Sequence, residues 1–165
     1  MKKILIYVYL IVLVGFMGWL GYKGVAKFRA KEEVEKSQNS LSAIFEKLGV
    51  PEAATEQLAM LVYFNSECEH CQYEIKEIQT NLDKFGDVRL ALVSHEEPEQ
   101  AVAFLAKHQL QDYYLSSSRD QVLSAFTGGV PQLLIYRDNE LVRHFRGEVK
   151  MEAILKALDE AIMLK

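Results

Sequence analysis

The stretch Leu58 to Cys71, LAMLVYFNSECEHC, constrains this chain more than any other, because an unbroken apolar run leads through a short polar turn into the only two cysteines of the 165 residues. Branched and aromatic side chains dominate Leu58 to Phe64, the pattern of a strand buried on both faces of a parallel or mixed sheet. Asn65, Ser66 and Glu67 then interrupt it. Beyond them Ile75, Ile78, Leu82 and Phe85 recur at spacings of three and four, which predicts a helix beginning near Cys68. Cys68 therefore falls at a helix N-terminus, with Cys71 one turn further in.

That position has chemical consequences. The unpaired amides and positive dipole end of a first helical turn favour an anion, so Cys68 is the expected attacking sulfur. Cys71 is within reach of a mixed disulfide formed at Cys68 and is the expected resolving sulfur. The same spacing also begins many zinc ribbons. Structural zinc needs four ligands, however, and this chain has no second cysteine pair, while His70, His95, His108 and His144 lack paired ligand spacing. The expectation is therefore no metal and no cofactor other than a redox-active Cys68–Cys71 disulfide.

Cys68-Glu69-His70-Cys71 after a buried strand, Gly128-Gly129-Val130-Pro131 before a later apolar strand, and a final amphipathic helix together resemble the thioredoxin superfamily over about residues 41–165. More narrowly, the chain is similar to membrane-tethered thiol-disulfide oxidoreductases of bacterial envelopes, including the cytochrome c maturation type, which carry an extra helix-strand unit between the cysteines and the proline. The resemblance implies a thioredoxin-like α/β fold, a central mixed sheet with helices on both faces. It also implies protein substrates engaged through mixed disulfides and a separate partner that recharges the cysteine pair. An X-Pro bond is cis in only about 5–6% of cases, so the residues alone predict trans for Val130–Pro131. The resemblance implies cis, with Val130 and Pro131 beside the cysteines and the backbone of Val130 pairing with substrate.

Before that domain, Ile4 to Tyr22 is uncharged and mostly apolar, long enough to cross a bilayer as a helix. Gly24-Val25-Ala26 offers small residues for a signal-peptide cleavage, but Lys23 and Lys27 crowd the site, so residues 1–22 read as an uncleaved anchor. Lysines on both flanks leave orientation open by charge; the resemblance implies a domain facing the periplasm or cell exterior. Residues 23–40 read as a charged stalk or tether. A net charge of −4 with no basic cluster after the first thirty residues argues against a nucleic-acid surface.

Leu41, Ile44, Phe45 and Leu48 share one stripe, a first packed helix stopped by Gly49 and Pro51; the cytochrome-maturation branch usually starts with a strand hairpin instead. Val88 to Val93 is a second strand. Pro98 opens a helix to about His108 with Ala101, Val102, Leu105 and Ala106 inward, and Asp112 to Leu115 is a short strand candidate. Ser116 to Ser118 caps a helix over Arg119–Phe126. Gln132–Tyr136 and Glu140–Arg146 form a hairpin turning at Asp138-Asn139. Val149 to Leu164 closes the chain as a helix with Ile154, Leu155, Leu158, Ala161 and Ile162 inward.

His70 is the informative residue between the cysteines. An imidazole there can stabilise a Cys68 thiolate and so make the disulfide more oxidising, while Glu67 and Glu69 oppose it. Thioredoxin's tryptophan before the first cysteine is replaced by Glu67, and its buried aspartate six residues earlier by Val62. His95, Glu96 and Glu97 fit either the rim of the site or a loop before a helix, and the loop is the simpler account. These residues describe a thiol-disulfide oxidoreductase acting on proteins outside the cytoplasmic membrane through Cys68, His70 and Cys71. The other class that fits is a redox-silent thioredoxin-fold module binding a partner at the Val130-Pro131 edge.

Overall fold

The computed structural model describes residues 31–50 and 58–163 and, before them, positions 12, 13, 15–17, 19, 25, 28 and 29. It falls into two compact units, Met1–Glu35 and Lys36–Lys165. Every described position of the first unit is helical. Most of the expected anchor, residues 4–22, lies outside the described residues, and among the described ones no helix is long and apolar enough to cross a membrane. Pro51, expected as a helix stop, also lies outside them.

The second unit runs α1 (Leu41–Leu48), β1 (Leu58–Phe64), α2 (Glu69–Thr80), β2 (Arg89–Ser94), α3 (Pro98–Ala106), α4 (Arg119–Ala125), β3 (Gln132–Arg137), β4 (Glu140–Arg146) and α5 (Met151–Met163), with 3₁₀ turns at Leu82–Phe85 and Gln111–Tyr113. The sheet order is β2-β1-β3-β4. β1 pairs parallel with β2 and antiparallel with β3, and β3 pairs antiparallel with β4, so the sheet is mixed.

All seven residues of β1 are buried, as an uninterrupted apolar run demands of a central strand. The period of two divides them. Met60, Val62 and Phe64 join Leu92, Leu133 and Ile135 under α2, α3 and α5, whereas Ala59, Leu61 and Tyr63 join Val93, Leu134 and Tyr136 under α1 and α4. Both faces are thus covered by helices. α1 buries the expected Leu41, Ile44, Phe45 and Leu48, starts at a Ser40 cap and ends at Gly49, whose φ of 68° is the left-handed stop that glycine permits. Gln38 anchors the approach to it: its side chain donates to the Ala125 carbonyl at 3.0 Å, and its own carbonyl accepts from the Tyr136 hydroxyl at 2.8 Å.

Several expectations are corrected. On α3, Phe104 rather than Val102 or Ala106 is buried with Ala101 and Leu105. On α5, Met151 and Ala157 join Ile154, Leu158 and Ala161, while Ile162 is exposed. Asp112–Leu115 is no strand: after its 3₁₀ turn the chain touches β2 through a single parallel bridge, Leu92 to Tyr114. The helix after Cys68 stops at Thr80, and Leu82 and Phe85 belong to the following 3₁₀ turn. The hairpin turns at Asp138-Asn139 with φ of 48° and 73°, the left-handed pair that a two-residue hairpin needs.

Candidate active site

The site forms where β1 gives way to α2. Three successive amides of the connecting turn have partners: Ser66 N–H donates to Glu96 at 2.7 Å, Glu67 N–H to the Asn65 side chain at 2.9 Å, and Cys68 N–H to the Asn65 carbonyl at 3.2 Å. Cys68 is the N-cap of α2, in extended conformation, and its carbonyl takes the first helical bond from Gln72 N–H at 2.9 Å. Most helices put a serine, threonine, aspartate or asparagine here, whose oxygen satisfies a first-turn amide. Cys68 makes no such side-chain bond, so that end of α2 presents its amides to the sulfur.

The two thiols differ in access. Cys68 is half-buried, and its Sγ lies 3.9 Å from the carbonyl oxygen of Val130. Cys71 is fully buried, on the α2 stripe with Ile75 and Ile78. Burial pushes the Cys71 thiol well up; the backbone of Asn65 opposes this, while the Cys68 thiol and the Glu74 carboxyl add to it. An external disulfide can reach Cys68 but not Cys71.

Pro131, beside the cysteines, follows a cis peptide bond from Val130. Gln132 holds the approach to it, its side-chain amide donating to the carbonyls of Thr127 at 2.9 Å and Gly129 at 2.8 Å. Gly128 lies in that loop at φ 94°, a conformation reserved for glycine. Cys68, Cys71, Val130 and Pro131 are thus brought together. His70 sits on the exposed side, its Nδ1 2.6 Å from Oε2 of Glu148.

Two carboxylates, Glu74 and Glu148, escaped the sequence reading as site residues, and for a third, Glu96, a loop position outweighed one on the rim of the site. Glu74, one turn beyond Cys71, is 1% exposed and pushed up to about 7, first by burial. The Val149 backbone offsets this in part and Glu148 adds to it, although neither Glu74 oxygen completes a hydrogen bond of standard geometry. Its signal was available: positions 71, 74, 75 and 78 make one helical stripe, and a glutamate on it must be buried. Val62, where thioredoxin has its buried aspartate, is core, but Glu74 supplies a buried carboxyl whose charge acts on Cys71. Glu96, read as a loop residue, is buried against the active-site turn, and Glu148 is the partner of His70. His95 bonds the Tyr63 hydroxyl at 2.8 Å on the opposite face of β1. Among the described residues no group of three His, Cys, Asp or Glu could hold a metal ion.

A thioredoxin fold with one accessible and one buried thiol at the head of α2 is a thioredoxin-like oxidoreductase. The chain belongs to the AhpC/TSA family, whose model matches residues 30–146. No curated protein matches it. Among solved structures it is similar to an uncharacterized thioredoxin-like protein from Porphyromonas gingivalis, at 26% identity and a TM-score of 0.54 over 67% of this chain and 78% of that one. It is also similar to a thio-disulfide isomerase from Thermus thermophilus (20% identity, TM-score 0.52, 64% and 80% covered). A third is a secreted Mycobacterium tuberculosis disulfide oxidoreductase homologous to E. coli DsbE (13% identity, TM-score 0.54, 63% and 81% covered).

Proposed function

We propose that the chain is a membrane-anchored thiol-disulfide oxidoreductase that exchanges disulfides with proteins outside the cytoplasmic membrane through Cys68 and Cys71, with no other cofactor. The observation that carries it is the inequality of the two sulfurs: Cys68 lies at the surface beside the Val130 carbonyl, and Cys71 is fully buried one turn inside. In the reducing direction the Cys68 thiolate attacks one sulfur of a substrate disulfide and displaces the other as a thiolate. Cys71 then gives up its proton, attacks Cys68 Sγ and releases the second substrate sulfur, leaving the Cys68–Cys71 disulfide; oxidation of a substrate runs these steps backwards. In the reducing direction the Glu74 carboxylate takes the Cys71 proton, which passes on to the released substrate thiolate; in the oxidising direction Glu74 gives the proton back to Cys71. A substrate strand pairs with the backbone of Val130, and a separate redox partner recharges the pair.

The location rests on the apolar run Ile4 to Tyr22 and on the resemblance to anchored envelope oxidoreductases, with similarity to a secreted protein as further support. Of the extra helix-strand unit expected of the cytochrome c maturation type, the segment between cysteines and proline has a second helix and, in place of the strand, a single bridge at Tyr114. The test is trapping. In Cys71→Ser membranes, mixed disulfides through Cys68 should accumulate and be recovered under non-reducing conditions, whereas Cys68→Ser should trap almost nothing. Equal trapping by both, or none by either together with a Cys68 thiol unreactive in the folded reduced domain, would return the chain to the redox-silent binding module.

A further inference from the structure

We infer that Glu96 is a positioning residue for Cys68, a carboxylate clamp that fixes the turn on which the attacking sulfur is mounted; this rests on the redox reading above. Glu96 leaves the end of β2 and is 9% exposed, in a place where an ionised carboxylate is tolerated only with its lone pairs filled. They are filled. Oε2 accepts from the Ser66 backbone N–H at 2.7 Å and the Ser94 hydroxyl at 2.8 Å, and Oε1 from the Ser66 hydroxyl at 2.6 Å and the Gln100 side-chain amide at 2.9 Å. One side chain thereby ties together the ends of β1 and β2 and the first turn of α3.

What it holds is the active-site turn. Ser66 is caught by both its amide and its hydroxyl, and its carbonyl accepts from Gln72 of α2 at 2.8 Å, so the residue two positions before Cys68 is fixed on three sides. Cys68 Sγ itself makes only weak contacts, with the Val130 carbonyl at 3.9 Å and with the Cys71 thiol, and its own side chain makes no cap bond. Its placement relative to Cys71 and Pro131 is inherited from the backbone, and the backbone here is held by Glu96. Charge-assisted bonds to a carboxylate are the strong and directional kind that such a task requires.

The predicted effect is on the closeness of the two sulfurs, read by equilibrating the domain with glutathione. In that reaction oxidised glutathione takes two electrons and two protons from the Cys68 and Cys71 thiols, giving their disulfide and two reduced glutathiones. Glu96→Ala should lower the equilibrium constant for disulfide formation about tenfold, a potential about 30 mV more positive, and slow by a similar factor the attack of Cys71 on a Cys68–glutathione mixed disulfide. Glu96→Gln, which keeps the shape and sets an amide nitrogen against two of the four donors, should move both in the same direction by less; it serves if the alanine variant fails to fold. The exposed neighbour Glu97→Ala should change neither. A lowered melting temperature with potential and resolution rate unchanged would make Glu96 merely structural and overturn the proposal. If the unsubstituted domain itself forms no Cys68–Cys71 disulfide with glutathione, it is the redox reading that falls.

Discussion

Nδ1 of His70 lies 2.6 Å from Oε2 of Glu148, so the imidazole between the two cysteines is engaged by a carboxylate 78 residues further along the chain. Both side chains are substantially exposed, 70% and 40%, which limits such a pair to less than about 1 kcal/mol. Any stabilisation that the imidazole lends a Cys68 thiolate is thus opposed by the Glu148 carboxylate that engages it. His70→Ala should make the disulfide more reducing. Glu148→Gln should make it more oxidising, each by roughly 10–20 mV, and the Glu148 effect should shrink in the His70→Ala background. Glutathione equilibration of the two single variants and the double variant decides it; an undiminished Glu148 effect in the double variant would mean that the carboxylate acts on the thiols directly.

Glu74 gives a stability prediction with a definite sign. Its folded-state value of about 7 is above the 4.5 of an unfolded glutamate, so between these values the folded state binds more protons, and stability falls as pH rises from about 4.5 to 7. The full loss is about 3 kcal/mol, present above neutrality and absent below pH 4.5. Glu74→Gln removes the titration. Relative to the parent, its stability should gain by about that amount between pH 4 and pH 8.5, measured by urea unfolding; parallel curves would place the carboxyl in contact with water.

The same substitution should injure the chemistry. Without a carboxylate to take the proton from a buried thiol pushed well up, attack of Cys71 on a Cys68 mixed disulfide should slow by about 100-fold. Stopped-flow release of a chromogenic thiol from that mixed disulfide reads the step. An unaltered rate would remove Glu74 from the mechanism while leaving the cysteines in it.

Gly49 tests the scaffold away from the site. At φ 68°, a Cβ there would both strain the backbone and run into the side-chain amide of Gln121. Gln121 belongs to the capping box of α4 with Ser118. Gly49→Ala should cost about 1–3 kcal/mol in thermal or urea unfolding, with the redox potential unaltered.

The anchored arrangement is tested by protease added to intact cells stripped of their outer layers. The domain from residue 41 onward should be removed while the membrane pellet retains the N-terminal segment. Full protection would put the domain on the cytoplasmic side.

What the sequence determined was whatever depends on neighbours along the chain. Seven apolar residues in a row made β1 a central strand, the i, i+3, i+4 stripe made α1, Ser118 capped α4, and Asp138-Asn139 turned the hairpin, because each needs only local periodicity or a single backbone preference. The Cys68–Cys71 spacing at a strand-to-helix junction was legible for the same reason. Tertiary structure alone decided which groups meet across the chain. Glu96 is a loop residue until the ends of β1 and β2 come side by side and Ser66 fills its lone pairs, and Glu148 is a surface charge until the start of α5 approaches His70. Val102 and Phe104 lie two positions apart on one helix, and the face that α3 turns to the core carries Ala101, Phe104 and Leu105 and leaves Val102 exposed. Hydrogen bonds and burial are set by distance in space, and separations of 30 and 78 residues leave no trace in a local pattern.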